Sequence, residues 1–182
     1  MEYKGEPLEV SRWWKERCLY ILLGYLGKPH SYLDVGCGDG YFVELMGKLT
    51  GNTGKVIGID LTSSGPFVFV HDLRTPLNLN NKFGMVVSLE VGEHLPEKYA
   101  DIYCDTLVRH TDQWLVFSAA QVGQSGWHHI NCQPKEYWLG KLEMRGLKFN
   151  RVKTEEVAVA WSKFVPKDCQ WAYHNLMILG EE

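Results

Sequence analysis

The sequence predicts an α/β fold in which a mostly parallel sheet carries helices on both faces. Short runs rich in β-branched and aromatic residues alternate with helical patterns along the chain, and this alternation is typical of parallel strands joined by helices. The first predicted strand ends in closely spaced glycines, and the second and third predicted strands end in aspartates. Glycines and acids at strand ends indicate a ligand site beyond the carboxyl edge of the sheet.

The predicted elements follow one another without any stretch that reads as a linker, so residues 1–182 are expected to form one domain. Apolar residues at helical spacing predict a first helix, which glycines then end. Later helices begin at a proline or end at a glycine, and the strands are short β-branched runs between turn residues. The helices are predicted at Pro7–Leu26, Tyr41–Leu49, Pro96–Arg109 and Pro134–Arg145, and the strands at Ser31–Val35, Lys55–Asp60, Phe67–Val70, Gly84–Leu89, Trp114–Ala119, Leu147–Val152 and Ala172–Leu179.

Composition excludes several protein classes. The chain has 182 residues, of which 45% are hydrophobic, and its net charge of −3 is too balanced for a protein that coats nucleic acid. It contains no uninterrupted apolar run of the ~18 residues that a membrane span needs, and its first residues are too polar for a signal peptide. Five cysteines without a Cys-x-x-Cys pair argue against a disulfide framework or a zinc knuckle. We therefore expect a soluble, cytoplasmic protein.

The strongest local motif is the run Asp34-Val35-Gly36-Cys37-Gly38-Asp39-Gly40, in which a strand ends and a helix follows. Glycines at such a turn let the backbone approach a ligand closely. Asp60 ends the next strand, where a carboxylate can accept both hydroxyl protons of a ribose. Asp72 follows the third strand, at a position where a carboxylate can accept the exocyclic amine of adenine.

Two other nucleotide motifs are excluded by residue type. The dinucleotide fingerprint requires a third glycine, and the chain has Tyr41 or Val43 at that position, depending on which glycine begins the count. No phosphate-binding loop of the form Gly-x-x-x-x-Gly-Lys-Ser/Thr occurs. The remaining pattern resembles the class I S-adenosylmethionine-dependent methyltransferases over about Ser31 to Leu179, which leaves residues 1–30 as an N-terminal helical extension.

The resemblance implies a Rossmann-like methyltransferase fold, with a seven-stranded sheet whose last strand, Ala172–Leu179, is antiparallel. It implies that Asp34 faces the amino-acid end of the cofactor, that Asp60 holds the ribose, and that Asp72 meets the adenine edge. The full set of cofactor-binding residues that it implies is Asp34, Gly36, Cys37, Gly38, Gly40, Asp60, Leu61, Asp72, Leu73, Leu89 and Glu90.

The connection from Asp60 to Phe67 is shorter than the dozen or more residues that a parallel crossover normally takes. The helix usually found there must be reduced to a turn, which leaves one side of the adenine site open. Ribosomal RNA 2′-O-methyltransferases are similar in having a shortened crossover. They carry an Asp after the fourth strand, however, where this chain reads Ser88-Leu89-Glu90, so we do not assign the chain to that branch.

The segment after the fourth strand, Glu90-Val91-Gly92-Glu93-His94, holds the candidate catalytic residues. It resembles the Glu-x-x-Glu-His segment of ubiquinone-biosynthesis O-methyltransferases and of small-RNA 3′-terminal 2′-O-methyltransferases, which implies a divalent ion near the hydroxyl to be methylated. If the segment forms a helical turn, Glu90, Glu93 and His94 share one face. Carboxylate and imidazole ligands suit Mg²⁺ or Mn²⁺, and His129, or its neighbour His128, is the candidate fourth ligand.

The alternative to a metal site is that the histidine packs or acts as a general base. Glu93, His94 and His129 are the candidate catalytic residues in either case. No Asp/Asn-Pro-Pro-Tyr/Phe motif occurs here, which argues against methylation of an exocyclic nucleobase amine. Nor does this loop contain the Pro-Cys pair that cytosine-C5 enzymes use for thiolate attack.

We therefore expect S-adenosylmethionine-dependent methylation of an oxygen on a small molecule or sugar. One alternative is an RNA methyltransferase, because six Lys/Arg and two Glu lie between Lys135 and Lys153. Another is a domain on this fold that binds the cofactor without catalysis. The role of Trp13-Trp14 in the first helix stays open between packing and covering the cofactor, and that of Trp161, Phe164 and Trp171 between closing the core and stacking on a substrate ring. Monomer and homodimer are both compatible with the sequence.

Overall fold

A computed structural model describes residues 8–51, 55–62, 65 and 67–180, and of residues 8–11 only the backbone. Seven strands and six α-helices occur within these ranges. The strands are β1 (Tyr32–Val35), β2 (Val56–Asp60), β3 (Val68–Val70), β4 (Phe83–Leu89), β5 (Thr111–Ser118), β6 (Lys148–Phe149) and β7 (Met177–Gly180), and the helices are α1 (Leu8–Leu26), α2 (Tyr41–Thr50), α3 (Ala100–His110), α4 (Lys135–Glu143), α5 (Arg151–Trp161) and α6 (Trp171–His174).

The strands form one sheet in the order β3-β2-β1-β4-β5-β7-β6. Strands β1 to β5 pair in parallel, whereas β7 runs antiparallel to both β5 and β6. This confirms the predicted seven-stranded, mostly parallel sheet with one antiparallel strand. In chain order, β2 and β3 are added on one side of β1, and β4 is then added on the other side of β1. Such a reversal opens a crevice beyond the carboxyl ends of β1 and β4, where α/β folds bind ligands.

Helices cover both faces of the sheet, as predicted. Met85 and Val87 of β4 belong to the hydrophobic core under α1, α2, α5 and α6, whereas Val86 belongs to the core under α3 and α4. Successive side chains of a strand point to opposite faces, and apolar side chains on both faces are expected of a buried parallel strand. The central strands are therefore held from both sides, and their carboxyl ends are rigid supports for the loops that follow.

Two predictions for the last third of the chain are wrong. The strand predicted at Leu147–Val152 has only two residues, because α5 begins at Arg151, and this helix has no counterpart in the predicted elements. Asn150 starts the helix by accepting a hydrogen bond from the backbone N–H of Lys153 through its side chain, a capping interaction that overrides the β-preference of the valines that follow. The strand predicted at Ala172–Leu179 begins only at Met177, because α6 precedes it.

Other boundaries differ slightly from the prediction. The helix predicted at Pro96–Arg109 begins as a 3-10 turn at Glu97–Tyr99 and becomes α-helical at Ala100. The predicted start of the first helix at Pro7 lies outside the described residues, as do three positions of the short connection after Asp60. Within the described part of the chain, no helix is both long enough and apolar enough to cross a membrane.

Candidate functional site

The glycine loop connects the end of β1 to α2 and lies over the end of β2. The backbone N–H groups of Gly36 and Cys37 both donate to the carbonyl oxygen of Ile59, at 2.7 and 3.1 Å. Gly36 has a φ of +81°, and a Cβ at this position would stand 2.4 Å from a methyl carbon of Val91. Only glycine combines this backbone conformation with this close approach. In the structure the glycine at position 36 allows a tight turn that packs against the segment after β4, while the predicted approach to a ligand stays a prediction.

Asp34 is the buried carboxylate under this loop. Its side chain is 4% exposed and lies at the wall of a cavity of about 380 Å³. The Tyr32 hydroxyl donates to Asp34 Oδ2 at 3.3 Å. Burial raises the pKa of Asp34 to about 7, since the Tyr32 hydrogen bond offsets only part of the cost of removing the charge from water. A ligand cation in this cavity would stabilise the ionised carboxylate.

The cavity next to Asp34 is closed by elements far from the glycine loop in sequence. Trp14 of α1 and Trp171 of α6 meet edge to face with ring centroids 6.2 Å apart, and both line the cavity. The indole N–H of Trp161 donates to the carbonyl oxygen of Cys18 at 2.9 Å, which fastens α1 to α5. Trp161 therefore links the first helix to α5, and it lines the cavity together with Trp14 and Trp171.

Asp60 lies at the end of β2, directly across from the glycine loop. Its Oδ2 accepts the backbone N–H of Gly38 at 2.9 Å, and its Oδ1 accepts the backbone N–H of Thr62 at 3.2 Å. These two bonds orient the carboxylate and leave it further lone pairs, since a carboxylate offers about four acceptor positions. The geometry agrees with the predicted ribose-binding role, because an oriented carboxylate at a strand end can accept two adjacent hydroxyl groups.

Asp72 is already paired in this structure. Arg74 Nε and Nη2 donate to the two oxygens of the Asp72 carboxylate at 2.7 to 3.0 Å, and the backbone N–H of Arg74 adds a further bond. These hydrogen bonds lower the pKa of Asp72 to about 2. An adenine amine would therefore have to share the Asp72 carboxylate with the Arg74 guanidinium or displace the guanidinium from it. Leu73, the other predicted adenine contact, is buried in the core under α3 and α4.

The surface beside Asp60 and Asp72 is open, as the short connection predicts. Leu61 is 62% exposed, and Phe69 of β3 is 56% exposed. No helix lies between β2 and β3 among the residues described there, which are 61, 62, 65 and 67. Apolar side chains that a crossover helix would normally cover are therefore left in contact with water.

Glu90 departs from the helical turn assumed for the segment after β4. Its φ is +56°, a strained conformation for a non-glycine residue, and the 3-10 turn that follows begins only at Gly92. Its backbone N–H donates to the carbonyl oxygen of Ser118 at 3.0 Å. The carboxylate accepts from Asn175 Nδ2 at 3.2 Å and lines the cavity next to Leu89. Burial, and then the nearby charge of Glu93, raise the pKa of Glu90 to about 7.

Three of the four predicted metal-ligand candidates come together. Ligand atoms of Glu93, His94 and His129 lie within 4.8 Å of one another, and His129 Nε2 is 4.0 Å from Glu93 Oε1. Glu90 is not part of this cluster; its carboxylate accepts from Asn175 Nδ2 and lies close enough to Glu93 for the charge of Glu93 to help raise its pKa. His128, the alternative to His129, has a φ of +56° and a ring that packs on Trp127.

Glu93 is a buried acid without hydrogen-bond partners. Its side chain is fully buried, and neither carboxylate oxygen forms a hydrogen bond with any described residue. Burial raises the pKa of Glu93, and the nearby backbone N–H groups of Glu93 and Ala120, which do not reach hydrogen-bond geometry, offset only part of the effect. An unpartnered buried carboxylate is costly for a fold. A ligand cation or a proton is the partner that this position lacks.

Both histidines of the cluster are oriented by backbone carbonyl groups. His94 Nδ1 lies 3.2 Å from the carbonyl oxygen of His128, and His129 Nδ1 lies 3.2 Å from that of Gln124. A carbonyl oxygen only accepts, so each Nδ1 carries the hydrogen and each neutral ring has a bare Nε2. Burial lowers the pKa of His94, which favours the neutral ring. Imidazoles held in this way are typical of metal ligands and of general bases.

Gly126 makes room for His129. A Cβ at Gly126 would stand 2.2 Å from His129 Nε2 and 2.3 Å from Cε1 of the same ring. The absence of a side chain at Gly126 therefore sets the position of this histidine. A glycine in an irregular loop carries no visible signal of that role in the sequence.

Sequence reasoning also missed Asn175, Gln121 and Gln124. Asn175 is fully buried between α6 and β7 and donates to Glu90, and its Oδ1 accepts from Gln121 Nε2 at 2.9 Å. Amide side chains have many structural uses, and no local motif marks these three. Asn175 is at least 51 residues away in the sequence from either glutamine that it contacts.

Three of the six basic side chains in the positive segment Lys135–Lys153 are paired with acids. Lys141 and Arg145 pair with Asp101 at 3.0 and 2.9 Å, and Arg145 also pairs with Asp105 of α3. Lys153 pairs with Glu156 at 3.2 Å. These ion pairs reduce the local excess of positive charge seen in the sequence.

Comparison with known proteins agrees with the fold and the glycine loop. A family described as a methyltransferase domain matches residues 10–117, more than half of the chain. Ribosomal RNA large subunit methyltransferase E of Nitrosopumilus maritimus (strain SCM1) is 30% identical over 97 residues, which are 53% of this chain and 47% of that protein. The chain thus spans about half the length of that curated relative.

Two solved structures resemble the whole chain in fold. The sugar N-methyltransferase KedS8 from a Streptoalloteichus species superposes with a TM-score of 0.64 at 14% identity, covering 98% of this chain and 90% of that one. An O-methyltransferase from a trans-AT PKS multienzyme of Brevibacillus brevis, crystallised with S-adenosyl-L-homocysteine, gives 0.63 at 16% identity, covering 90% and 71%. The Rossmann-like methyltransferase fold predicted from the motifs is confirmed. The chain belongs to the methyltransferase-domain family.

Proposed function

We propose that this chain transfers a methyl group from S-adenosylmethionine to an oxygen atom of a small molecule or sugar. The observation that carries this proposal is the cluster of Glu93, His94 and His129, in which a buried carboxylate without partners lies beside two imidazoles with bare Nε2 atoms. An alcohol or phenol oxygen needs its proton removed as it attacks, whereas a neutral amine can attack through its lone pair before it loses a proton. Three groups that can take or share a proton therefore suit an alcohol or phenol.

The cofactor would lie along the carboxyl ends of β1 and β2. Asp34 would meet the ammonium of its amino-acid end in the cavity, the glycine loop would pass along its middle, and Asp60 would accept the ribose hydroxyls. Leu61 and Asp72 would meet the adenine at the open edge. When bound, the cofactor would supply a methyl group on a sulfonium sulfur: an acceptor oxygen would attack the methyl carbon in line as the C–S bond breaks and S-adenosylhomocysteine leaves. Alignment of the two reactants is expected to supply much of the rate.

The same three side chains fit a divalent cation. One carboxylate and two neutral imidazoles, each oriented through Nδ1 by a backbone carbonyl, form a set typical of Mn²⁺ or Fe²⁺ and tolerated by Mg²⁺. A cation there would lower the pKa of a nearby hydroxyl group. Without one, Glu93 and the Nε2 atoms of His94 and His129 would themselves receive the proton. The metal version and the general-base version use the same residues. They differ in that a chelator would stop methyl transfer only in the metal version.

Calorimetry separates these versions. Mn²⁺ is titrated into the full chain with S-adenosylhomocysteine bound, and binding is expected to be lost in E93Q, H94Q and H129Q. H174Q is the matched control, because His174 is the last residue of α6 and lies outside the cluster. A parent protein that binds S-adenosylhomocysteine but no Mn²⁺ would exclude the cation and leave the general-base version.

Gly126 offers a test that changes no candidate ligand. G126A places a methyl group where the His129 ring stands, so Mn²⁺ affinity is expected to fall as it does in H129Q. Gly140 in α4 has no atom within 4 Å of an added Cβ, and G140A is expected to bind like the parent. Equal affinities of G126A and the parent would remove His129 from the proposed site.

RNA as methyl acceptor is the second candidate, and the similarity to the ribosomal RNA methyltransferase is the observation that favours it. The ion pairs of Lys141, Arg145 and Lys153 favour the small acceptor, because they leave less charge free for phosphates. Binding of a labelled RNA at rising salt decides between the two. An RNA enzyme is expected to lose affinity steeply as salt rises, whereas weak binding with no such dependence supports the small acceptor.

A further inference from the structure

Asn175 is a buried carboxamide whose hydrogen-bonding capacity is fully used. Its Nδ2 donates to both oxygens of Glu90 at 3.2 Å and to Gln124 Oε1 at 2.9 Å. Its Oδ1 accepts from Gln121 Nε2 at 2.9 Å and from Gln124 Nε2 at 3.1 Å. The side chain is inaccessible to solvent. The proposed chemistry does not use this residue, although it touches both halves of the site.

One side of Asn175 faces the cofactor cavity and the other faces the β5–α4 loop (Gln121–Gln133). Glu90 lines the cavity, and its carboxylate receives the amide N–H groups. Gln124 lies in the loop, and its backbone carbonyl accepts from His129 Nδ1 at 3.2 Å. A path of three hydrogen-bonded residues therefore runs from the cavity wall through Asn175 to the support of His129.

The orientation of this amide is determined by its partners. Both oxygens of Glu90 accept from Asn175 Nδ2, so the NH₂ group faces Glu90, and the Asn175 oxygen faces the amide groups of the two glutamines. Rotation of the Asn175 amide would place oxygen against oxygen and leave buried polar groups unpaired, which is costly in a low-dielectric interior. Glu90 and the β5–α4 loop are therefore held in one relative arrangement.

We propose that Asn175 is a positioning residue that couples the cofactor cavity to the β5–α4 loop. This inference rests on the proposed function, since it takes S-adenosylmethionine as the ligand of the cavity and His129 as a group that serves the methyl acceptor. Occupation of the cavity wall at Glu90 is transmitted through the Asn175 amide to Gln124. The loop and its histidine are then fixed when the cofactor is bound.

Hydrogen exchange of the loop amides measures this coupling without a methyl acceptor. The backbone N–H of Gln124 donates to the carbonyl oxygen of Gln121, and those of Ile130 and Asn131 donate to that of Glu93. In the full-length parent, S-adenosylhomocysteine is expected to slow exchange of these three amides. In N175D, which keeps the shape and the accepting oxygen but places a carboxylate against Glu90, the slowing is expected to disappear.

The affinity for S-adenosylhomocysteine is measured on the same variants. Contacting polar side chains show interaction energies that correspond to about 2- to 150-fold changes in an equilibrium constant, so N175D is expected to bind more weakly within that range. N150D is the matched control, because Asn150 caps α5 through an accepting oxygen that aspartate also provides. Its loop protection and affinity are expected to equal those of the parent.

A polarity swap distinguishes coupling from simple damage to the fold. In the double variant E90Q/N175D the amide and the carboxylate exchange places, and the hydrogen bond between positions 90 and 175 can form again. Cofactor-dependent protection of the loop is expected to return, although N175D alone lacks it. A merely structural role would make the double variant worse than either single variant.

Two results would overturn the inference. One is a folded N175D that binds S-adenosylhomocysteine and still protects the loop amides as the parent does. The other is a folded swap variant that binds the cofactor product without regaining loop protection. Failure of the parent itself to bind S-adenosylhomocysteine is a different result, because it would overturn the proposed function and this inference together.

Discussion

The two ends of the proposed cofactor site differ in how they are enclosed. At the amino-acid end, Asp34 is buried under the glycine loop, and Trp14 and Trp171 close the cavity from the side. At the adenosine end, Asp60 and Asp72 are only partly buried, and Asp72 is paired with Arg74. The side chain of Leu61, beside these two acids, is exposed to solvent. Both ends carry similar motifs, in which an acid ends or follows a strand.

The difference shows that a motif places a side chain at a strand end, whereas distant elements decide whether that side chain is buried. α1 and α6 enclose the amino-acid end, and no helix covers the adenosine end between β2 and β3 in the described residues 61, 62, 65 and 67. Burial in turn sets the electrostatics. The pKa of Asp34 rises to about 7, and that of Asp72 falls to about 2 under its Arg74 bonds. The enclosed end is therefore expected to respond strongly to substitution and the open end weakly.

The largest effect is expected at the enclosed end, from G36A. The added methyl group would overlap the Val91 side chain and would force a left-handed φ on alanine, at a cost of about 2–4 kcal/mol in unfolding free energy. Calorimetry is expected to show no binding of S-adenosylhomocysteine. G38A is the matched control, since an added Cβ there meets no atom within 4 Å. A G36A protein as stable as G38A would contradict the close packing at Gly36.

Between the two ends, D60N tests the ribose contact. The substitution removes one carboxylate oxygen from a group that Gly38 and Thr62 orient, and the loss in binding free energy for S-adenosylhomocysteine is expected to be ~1–3 kcal/mol. D72N is expected to lose less, because Asp72 is committed to Arg74. Equal losses of binding free energy in D60N and D72N would mean that Asp72 at the open edge contributes as much to S-adenosylhomocysteine binding as Asp60 beside the glycine loop.

The pH dependence of stability tests the burial of Asp34. A carboxyl group whose folded pKa lies near 7, above its unfolded value of about 3.9, binds the proton more tightly in the folded state. Its contribution to the stability of the cofactor-free protein is therefore lost as pH rises from about 4 to above 7. D34N is expected to be ~1–3 kcal/mol more stable than the parent at pH 8 and nearly equal to it at pH 4.

The same variant is expected to bind S-adenosylhomocysteine more weakly, because the ammonium loses its carboxylate partner. D39N is the control, since Asp39 is an exposed carboxylate in the same loop. Denaturant unfolding at several pH values measures the first effect and calorimetry the second. A D34N protein whose stability follows the parent at every pH would show that Asp34 does not titrate in this range.

The smallest effect is expected at the open end, from R74Q. The Asp72–Arg74 pair is exposed, and exposed ion pairs contribute little. S-adenosylhomocysteine affinity is expected to change by no more than about twofold. A tenfold loss measured by calorimetry would show that the guanidinium belongs to the binding site and would remove the contrast between the two ends.

Much of the fold could be predicted because its signals are local. Strand and helix patterns, Gly146 after α4 and the glycine loop each depend on a few neighbouring residues. α5 was missed because its capping residue, Asn150, follows a run that also suits a strand, and the valines of the helix favour either state. The late start of β7 has a similar cause, since the four-residue α6 carries no periodic pattern of its own.

The candidate site divides in the same way. Asp34, Asp60 and the glycines were recognisable because strand ends and glycine spacing are visible in one dimension. Glu90 was placed in the metal group, whereas in the structure it is not part of the cluster and its carboxylate accepts from Asn175, a contact that has no sequence signal. Gly126 and Asn175 were missed because each acts through a contact in space, with His129 and with Glu90.

By itself the sequence determined the class of sheet, the strand ends that carry the candidate cofactor residues, and the chemistry available after β4. Local backbone preference and side-chain spacing are sufficient for these features. Only the tertiary structure decided which acids are buried, that Glu93 lacks a partner while Glu90 has one, and that Lys141 and Arg145 are neutralised by Asp101. Burial, pairing and pKa depend on groups that meet across tens of residues, so they arise from packing and not from any local pattern.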